Sequence, residues 1–175
     1  MASKATGSAF FCSLQSFDAV LDFSPESAAL GATPRAMRYQ LRSGRRDALL
    51  EPLSEGFELP QVHTSRFGQA QATVAWGTGL DAGDSSSFFD RTVRLNLASG
   101  ERRVWQRPGA VQLEPLFVAR PGASAEDDGV LLVPTLTDDD AASVIAVVDA
   151  ATMQCLATLQ APQVIPFGFH AAWAG

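Results

Sequence analysis

Short apolar segments that alternate with turn residues are the feature that most limits what this 175-residue chain can fold into. Residues 92–97 alternate between polar and apolar side chains, residues 98–100 form an Ala-Ser-Gly turn, and residues 101–106 run back. Alternation with a period of two places one set of side chains on each face of a strand, and a tight turn reverses the chain. The pattern predicts a β-hairpin at this position.

The same pattern recurs along most of the chain. Residues 130–134, 143–149 and 155–160 predict three consecutive strands, and shorter candidates are residues 38–41, 73–76 and 116–119. Strands at a spacing of about 8–15 residues indicate an antiparallel all-β meander, as in a sandwich, a barrel or a propeller. Residues 24–30, which open Ser-Pro-Glu, have the cap, proline and acid typical of a helix start.

Charge and composition exclude several classes of function. The 13 basic and 19 acidic residues give a net charge of −6, which offers no attraction to nucleic acid or to anionic lipid. Residues 1–11 do not form a secretory signal, and no apolar run approaches the roughly 18 residues of a spanning helix. Cys12 and Cys155 lie far apart, which favours two partly buried thiols in a reducing, intracellular compartment over a disulfide or a zinc pair. We expect a soluble or at most membrane-peripheral protein.

Three ionisable side chains have apolar neighbours in the sequence. His170 ends the segment Pro-Phe-Gly-Phe-His at residues 166–170, and Glu58 and Glu114 each lie between two apolar residues. A neutral imidazole in a water-poor segment suits Zn, Cu, Fe or Ni, and a carboxylate can accept the other ring N–H of a ligand histidine. The three side chains could therefore satisfy one another around a metal. A buried histidine that bonds to backbone is the alternative interpretation of His170.

Other catalytic chemistry lacks its motif in this sequence. There is no phosphate-binding glycine loop, no CxxC, no HExxH and no nucleophile elbow. The acidic runs at residues 126–128 and 138–140 lack the spacing of a calcium loop, so we interpret them as solvated turns. His63 lies in a loop-like stretch beside Thr64 and Ser65, which favours a surface or capping role over metal binding.

Five segments, in their order and spacing, resemble the C-terminal portion of the carotenoid cleavage oxygenases. They are FELPQ at residues 57–61, WGTGL at residues 76–80, EPLFVARPGA at residues 114–123, EDDGVLL at residues 126–132 and PFGFH at residues 166–170. Arg38 and Tyr39 also match, so the resemblance spans residues 34–173. We therefore divide the chain into an unassigned N-terminal segment, residues 1–33, and the C-terminal part of an oxygenase propeller domain, residues 34–175.

The resemblance implies a seven-bladed β-propeller, of which this chain would form the last blades, around a non-haem Fe(II) held by four histidines. By motif, His170 would be the last iron ligand, and Glu58 and Glu114 would be two of three glutamates that orient ligand histidines. The resemblance also implies that O2 adds across a double bond of a carotenoid or apocarotenoid and yields two carbonyl products. An apolar tunnel would receive such a substrate.

The chain departs from the family in length and in ligands. Family members are much longer. Residues 10–18 resemble the family's third-ligand segment, with Cys12 and Ser13 where a histidine pair would be expected, so either this ligand is lost or the N-terminus is unrelated sequence. We expect the C-terminal part of a dioxygenase that is inactive alone, or alternatively a non-catalytic propeller remnant that binds a partner through open strand edges. One imidazole cannot hold Fe(II) against water. The carotenoid, the double bond and the location, plastid or cytoplasm, stay open, and peripheral membrane contact would involve other parts of a longer protein.

Overall fold

Three antiparallel sheets make up the described part of the protein. A computed structural model describes residues 6–13, 35–42, 46–66, 72–80, 89–137, 143–168 and 170–172. Within these residues the chain forms twelve β-strands and a 3-10 turn at Thr64–Arg66. The prediction of an antiparallel all-β fold is confirmed.

The first two sheets are simple meanders, in which each strand pairs with the next strand in the chain. The first contains β1 (Thr6–Ser13), β2 (Arg35–Arg42) and β3 (Ala48–Glu55); the second contains β4 (Phe57–Gln61), β5 (Val74–Gly79), β6 (Arg91–Asn96) and β7 (Arg102–Gln106). β6 and β7 are the predicted hairpin. Asn96 closes its turn by accepting from the N–H groups of Ala98 and Ser99, and Gly100 takes a φ of 75°, which glycine adopts without steric cost.

The third sheet is built around a long central strand. It contains β8 (Ala110–Gln112), β9 (Leu116–Ala119), β10 (Gly129–Thr137), β11 (Val144–Asp149) and β12 (Cys155–Gln160). β10 pairs with β11 on one side, and on the other side it pairs first with β9 and then with β8. β8 and β9 therefore form one strand that is interrupted at residues 113–115. Pro115 lies in this interruption and has no N–H with which to continue the ladder.

Two apolar cores lie on opposite faces of β5. Successive side chains of a strand point to opposite faces, so Trp76 packs with Leu131 of the third sheet while Ala75 packs in a cluster with Ala36 of the first. The indole Nε1 of Trp76 donates to the carbonyl of Ala150 over 2.9 Å. The second sheet is thus packed between the other two, and β5 is buried along its whole length.

The last strands of the second and third sheets are much more exposed. β7 is exposed apart from one partly buried position, and every residue of β12 is exposed. Cys155 opens β12 and its thiol is free and exposed, so the expectation of a partly buried thiol is wrong at this position. Leu156 and Leu159 of β12 have 58% and 53% of their surface accessible. An apolar, exposed edge strand is a surface on which another chain can pair or pack.

The acidic residues 126–128 join the third sheet to the second. Glu126 accepts from the N–H and hydroxyl groups of Thr73 and from the N–H of Val74. Asp127 accepts from the buried Arg94 over 2.6 Å. The prediction of a turn is confirmed, but these carboxylates bond to protein groups rather than only to water, because the N–H groups at the start of β5 and a buried guanidinium need acceptors.

The predicted strands agree with most of the observed ones. They correspond to β2, β5, β6, β7, β9, β10, β11 and β12, several of which extend further than predicted. The sequence pattern does not predict β1, β3, β4 or β8, since β3 and β4 contain prolines and β8 has only three residues. The helix start predicted at residues 24–30 and the acidic run at residues 138–140 lie outside the described residues.

Candidate functional site

Glu114 lies in the interruption between β8 and β9 and is only 5% exposed. Gln61 Nε2, at the end of β4, donates to Glu114 Oε1 over 2.7 Å. The backbone N–H of Ala171 donates to Oε2 over 2.8 Å. A buried carboxylate needs such donors because it has lost its hydration. Each oxygen is therefore fixed by a donor from a different part of the chain.

His170 is the histidine that this carboxylate faces. Its ring atom Nδ1 is 3.5 Å from Glu114 Oε2. A carboxylate beside Nδ1 favours the tautomer with the proton on that nitrogen, which leaves the lone pair of Nε2, on the other side of the ring, for a metal. The structure thus brings together two of the three site residues that the sequence predicts.

The ring of His170 is not buried in this chain. Its side chain is 78% exposed, and Phe167 of the same segment is 43% exposed. The interpretation of this segment as water-poor is therefore wrong for its described residues, 166–168 and 170, and so is the alternative of a buried histidine bonded to backbone. The physical reason is position: the segment follows β12, which is itself exposed, so few groups of the described residues lie over it.

The segment that contains His170 has no regular structure at residues 161–168 and 170–172. Hydrogen bonds to side chains beside the strands of the third sheet hold it in place. Ser143 Oγ accepts from the N–H of Ile165 over 2.7 Å and donates to its carbonyl oxygen over 3.3 Å. Glu114 holds the other end through Ala171. These bonds position the histidine from both sides along the chain.

Glu58 lies on β4 in different surroundings. β4 is irregular between Glu58 and Gln61, where the register with β5 shifts and Leu59 has a φ of 49°. β4 also lies so close to β5 that a Cβ on Gly77 would be 2.4 Å from the Glu58 carbonyl oxygen. Burial raises the pKa of the Glu58 carboxyl above its usual range, with no hydrogen bond or cation of the described residues to offset it.

The donor set allows a test of whether these residues fit an iron site. An imidazole with a fixed carboxylate behind it fits one ligand and its support. Among the described residues, however, no group of three His, Cys, Asp or Glu side chains could hold a metal ion. The whole sequence has two histidines. Glu58 forms no hydrogen bond or ion pair with Glu114 or His170 in the part of the chain that the structure describes, so the predicted three-residue arrangement is present only as the pair of Glu114 and His170.

His63 has the capping contacts that the sequence suggested. Its Nδ1 accepts from the N–H and Oγ of Ser65, at 3.1 and 2.8 Å, at the 3-10 turn. Its ring lies 5.1 Å from that of Phe117, which stacks on Trp76 at 4.5 Å. Because a backbone N–H occupies Nδ1, this histidine serves the local turn, and it lies in no metal-binding group of the described residues.

Gln61 is the site residue for which sequence reasoning found no role. The sequence signal for such a residue is the burial expected of Glu114, because a buried carboxylate requires hydrogen-bond donors. The sequence does not show which side chain supplies them. An open cavity of about 360 Å³ lies beside this cluster, lined in part by Gln61, Leu116, Phe117 and Ala171. A donor at Gln61 therefore stands between the carboxylate and open space.

Comparison with known proteins identifies the class to which this fold and site belong. The family model described as retinal pigment epithelial membrane protein matches residues 8–175, and the chain belongs to this family. A carotenoid cleavage dioxygenase 8 homolog A of Oryza sativa subsp. japonica, named as chloroplastic, is 31% identical over 132 residues, which cover 74% of this chain. A mitochondrial carotenoid-cleaving dioxygenase of Homo sapiens is 30% identical over 116 residues, which cover 66% of this chain. The resemblance to carotenoid cleavage oxygenases is confirmed.

Solved structures show the same fold. A cobalt-substituted apocarotenoid oxygenase (ACO) of Synechocystis is 26% identical with a TM-score of 0.73, and the match covers 82% of this chain and 30% of that one. A monoclinic crystal form of an ACO/RPE65 chimera gives a TM-score of 0.83 at 22% identity, over 94% of this chain and 35% of that one. The three sheets are thus the last blades of a seven-bladed β-propeller, as predicted.

The chain spans about a fifth to a quarter of the length of the curated relatives it matches, 23% for the Oryza protein and 19% for the human one. Within the described residues, no helix has the length and apolar character to cross a membrane.

Proposed function

We propose that this chain forms the C-terminal part of a non-haem Fe(II) carotenoid cleavage dioxygenase, which uses O2 to cleave a double bond of a carotenoid or apocarotenoid. The 175 residues alone are inactive. The observation that supports this proposal best is the pair of Glu114 and His170. The buried carboxylate accepts a hydrogen bond on each oxygen and faces one ring nitrogen of an accessible imidazole. An exposed imidazole with this support is suited to complete a metal site formed with other segments.

The roles in this proposal are those that the family resemblance implies. His170 Nε2 would be one iron ligand, Glu114 would hold the His170 ring, and Glu58 would hold a histidine that this chain does not contain. When bound, Fe(II) supplies the electron-transfer chemistry by which O2 reacts with a carbon–carbon double bond. The Glu58 carboxylate is half-buried and has no partner among the described residues. This supports its proposed role of holding a histidine, since an imidazolium or a ring N–H placed against the carboxylate would offset its desolvation.

The substrate and location belong to the same proposal. The relatives are named as carotenoid-cleaving enzymes, which supports a carotenoid or apocarotenoid substrate. An intracellular location accompanies this function, and the names of the relatives support it by placing one in the chloroplast and another in the mitochondrion. A net charge of −6 gives no reason to expect a nucleic acid partner.

A chimera tests the proposed role of His170. Residues 35–172 would replace the matching part of the Synechocystis apocarotenoid oxygenase, so that the other ligands come from the host protein. We expect near-equimolar iron and aldehyde products from an apocarotenoid, and loss of both in His170→Ala. His63→Ala is the matched control, since His63 binds Ser65 instead, and should keep its iron. Equal iron content in the chimera and in its His170→Ala variant would refute the assignment.

The exposed strand β12 favours a second candidate function, a non-catalytic propeller remnant that binds a partner. Leu156 and Leu159 on this edge strand are more than half exposed. Size-exclusion chromatography with light scattering on the 175-residue chain distinguishes the two candidate functions by its oligomeric state. A monodisperse monomer without iron favours a part that needs the rest of an enzyme only for catalysis, whereas self-association through β12 that Leu159→Lys abolishes favours an interaction surface.

A further inference from the structure

The Glu114 carboxylate lies close to His170 but is not fixed by His170. The His170 Nδ1 to Oε2 distance of 3.5 Å is long for a hydrogen bond, whereas the bonds from Gln61 and Ala171 measure 2.7 and 2.8 Å. The shorter contacts therefore decide the orientation of the carboxyl plane. Of the two, only the bond from Gln61 comes from a side chain, and it crosses from the second sheet to the third.

We propose that Gln61 is a positioning residue for the iron ligand His170 and acts through Glu114, an inference that rests on the proposed function. The Gln61 amide occupies Oε1 and thereby turns Oε2 toward both the Ala171 N–H and the His170 ring. Without this donor, the plane of the carboxyl group can rotate about its last side-chain bond, and both contacts on Oε2 weaken together. Gln61 touches neither metal nor substrate in this role.

The chain offers a matched control for this proposal. Gln106 Nε2 donates to Asp90 Oδ2 over 2.7 Å, which is the same amide-to-carboxylate bond at the same length in an exposed place. Replacing either glutamine by methionine keeps the length of the side chain and removes the donor. Gln61→Arg is the rescue variant, because its guanidinium restores a donor to the carboxylate and the cavity of about 360 Å³ beside Gln61 has room for the longer side chain.

The first measurement is solution NMR on the ¹⁵N-labelled 175-residue chain at one fixed pH near neutrality. The chain has two histidines, so His170→Ala assigns the ring signals of both. In Gln61→Met we expect the His170 ring to shift from the Nδ1–H toward the Nε2–H tautomer, and the Ala171 amide to exchange with solvent about 2–10-fold faster, as for the loss of one hydrogen bond. Gln106→Met should change neither signal, and Gln61→Arg should restore both.

An unchanged His170 tautomer together with unchanged Ala171 exchange in Gln61→Met would overturn the proposal. If Gln61→Met fails to fold, Gln61→Arg still decides, because wild-type values for both signals support a donor role and the loss of both in a folded variant contradicts it. These readouts need no metal, so they are independent of catalytic activity.

The second measurement uses the chimera described above and separates this inference from the proposed function. Gln61→Met should weaken iron binding by less than the ~10–100-fold expected when a direct support such as Glu114 is lost. Retention of iron by His170→Ala would overturn the proposed function and leave the NMR result standing. Loss of iron in His170→Ala with full affinity in Gln61→Met would overturn the role of Gln61 alone.

Discussion

Glu58 and Glu114 have the same expected role but very different surroundings. Glu114 is 5% exposed, accepts a hydrogen bond on each carboxylate oxygen, and lies beside His170. Glu58 is half-buried, and its carboxylate has no partner among the described residues. Glu114 therefore has its hydrogen-bond donors within this chain, whereas the described residues supply no partner to the Glu58 carboxylate.

The largest expected effect concerns metal content. Because the chain has one candidate ligand where the proposed iron site needs four, we expect the purified 175-residue chain to hold no stoichiometric iron and to cleave neither β-carotene nor an apocarotenal. Elemental analysis after anaerobic loading with Fe(II), with the chimera as positive control, measures this. Near-equimolar iron with aldehyde products from the chain alone would break the distinction between a complete and an incomplete site.

In the chimera the two glutamates should become equivalent. Glu58→Gln and Glu114→Gln are each expected to weaken iron binding roughly 10–100-fold, since in the proposed site each carboxylate would orient a ligand histidine. Competition with a chelator of known affinity gives the two constants. A loss in one variant only would show that the other glutamate does not support a ligand.

In the isolated chain the same two substitutions should have opposite effects on stability. Glu114→Gln places an NH2 group against either Gln61 or Ala171, which leaves a buried donor unpaired and is expected to lower the free energy of unfolding by about 1–3 kcal/mol. Glu58→Gln removes a half-buried charge without a partner and should raise it by less than about 1 kcal/mol at pH 7. Urea denaturation at pH 7 measures both, and equal signs would contradict the comparison.

The smallest expected effect is a pH dependence of the stability that the chain gains from Glu58→Gln. Burial raises the pKa of Glu58 in the folded state above its unfolded value, so the folded chain binds this proton more tightly and ionisation costs stability. The advantage of Glu58→Gln should therefore be present at pH 7 and shrink as the pH falls through the raised pKa. Paired urea titrations between pH 7 and pH 4 test this, and an advantage that grows with acid would show the opposite sign of shift.

The sequence predicts well those elements whose pattern is local. The hairpin β6–β7 and the strands β10, β11 and β12 follow from alternation and turn residues. The motifs single out Glu114 and His170, whose side chains lie 3.5 Å apart in the structure. β4 is not predicted because Pro60 and the irregular Leu59 break its alternation, and its pairing depends on β5. The role of Gln61 and the exposure of His170 depend on which distant segments lie against them, which a pattern of neighbours in sequence does not contain.

Pairing between consecutive strands also has a consequence for how the chain folds. In the second sheet each strand pairs with the strand just before it, across connections at residues 62–73, 80–90 and 97–101, all shorter than residues 14–34 of the first sheet. Closing a shorter loop loses less chain entropy. Mainly local pairing of this kind favours fast folding for an all-β chain. The hairpin of β1 and β2 is the exception, because residues 14–34 separate its strands. We therefore expect the second and third sheets to form early, and the first sheet to close onto a surface that is already in place.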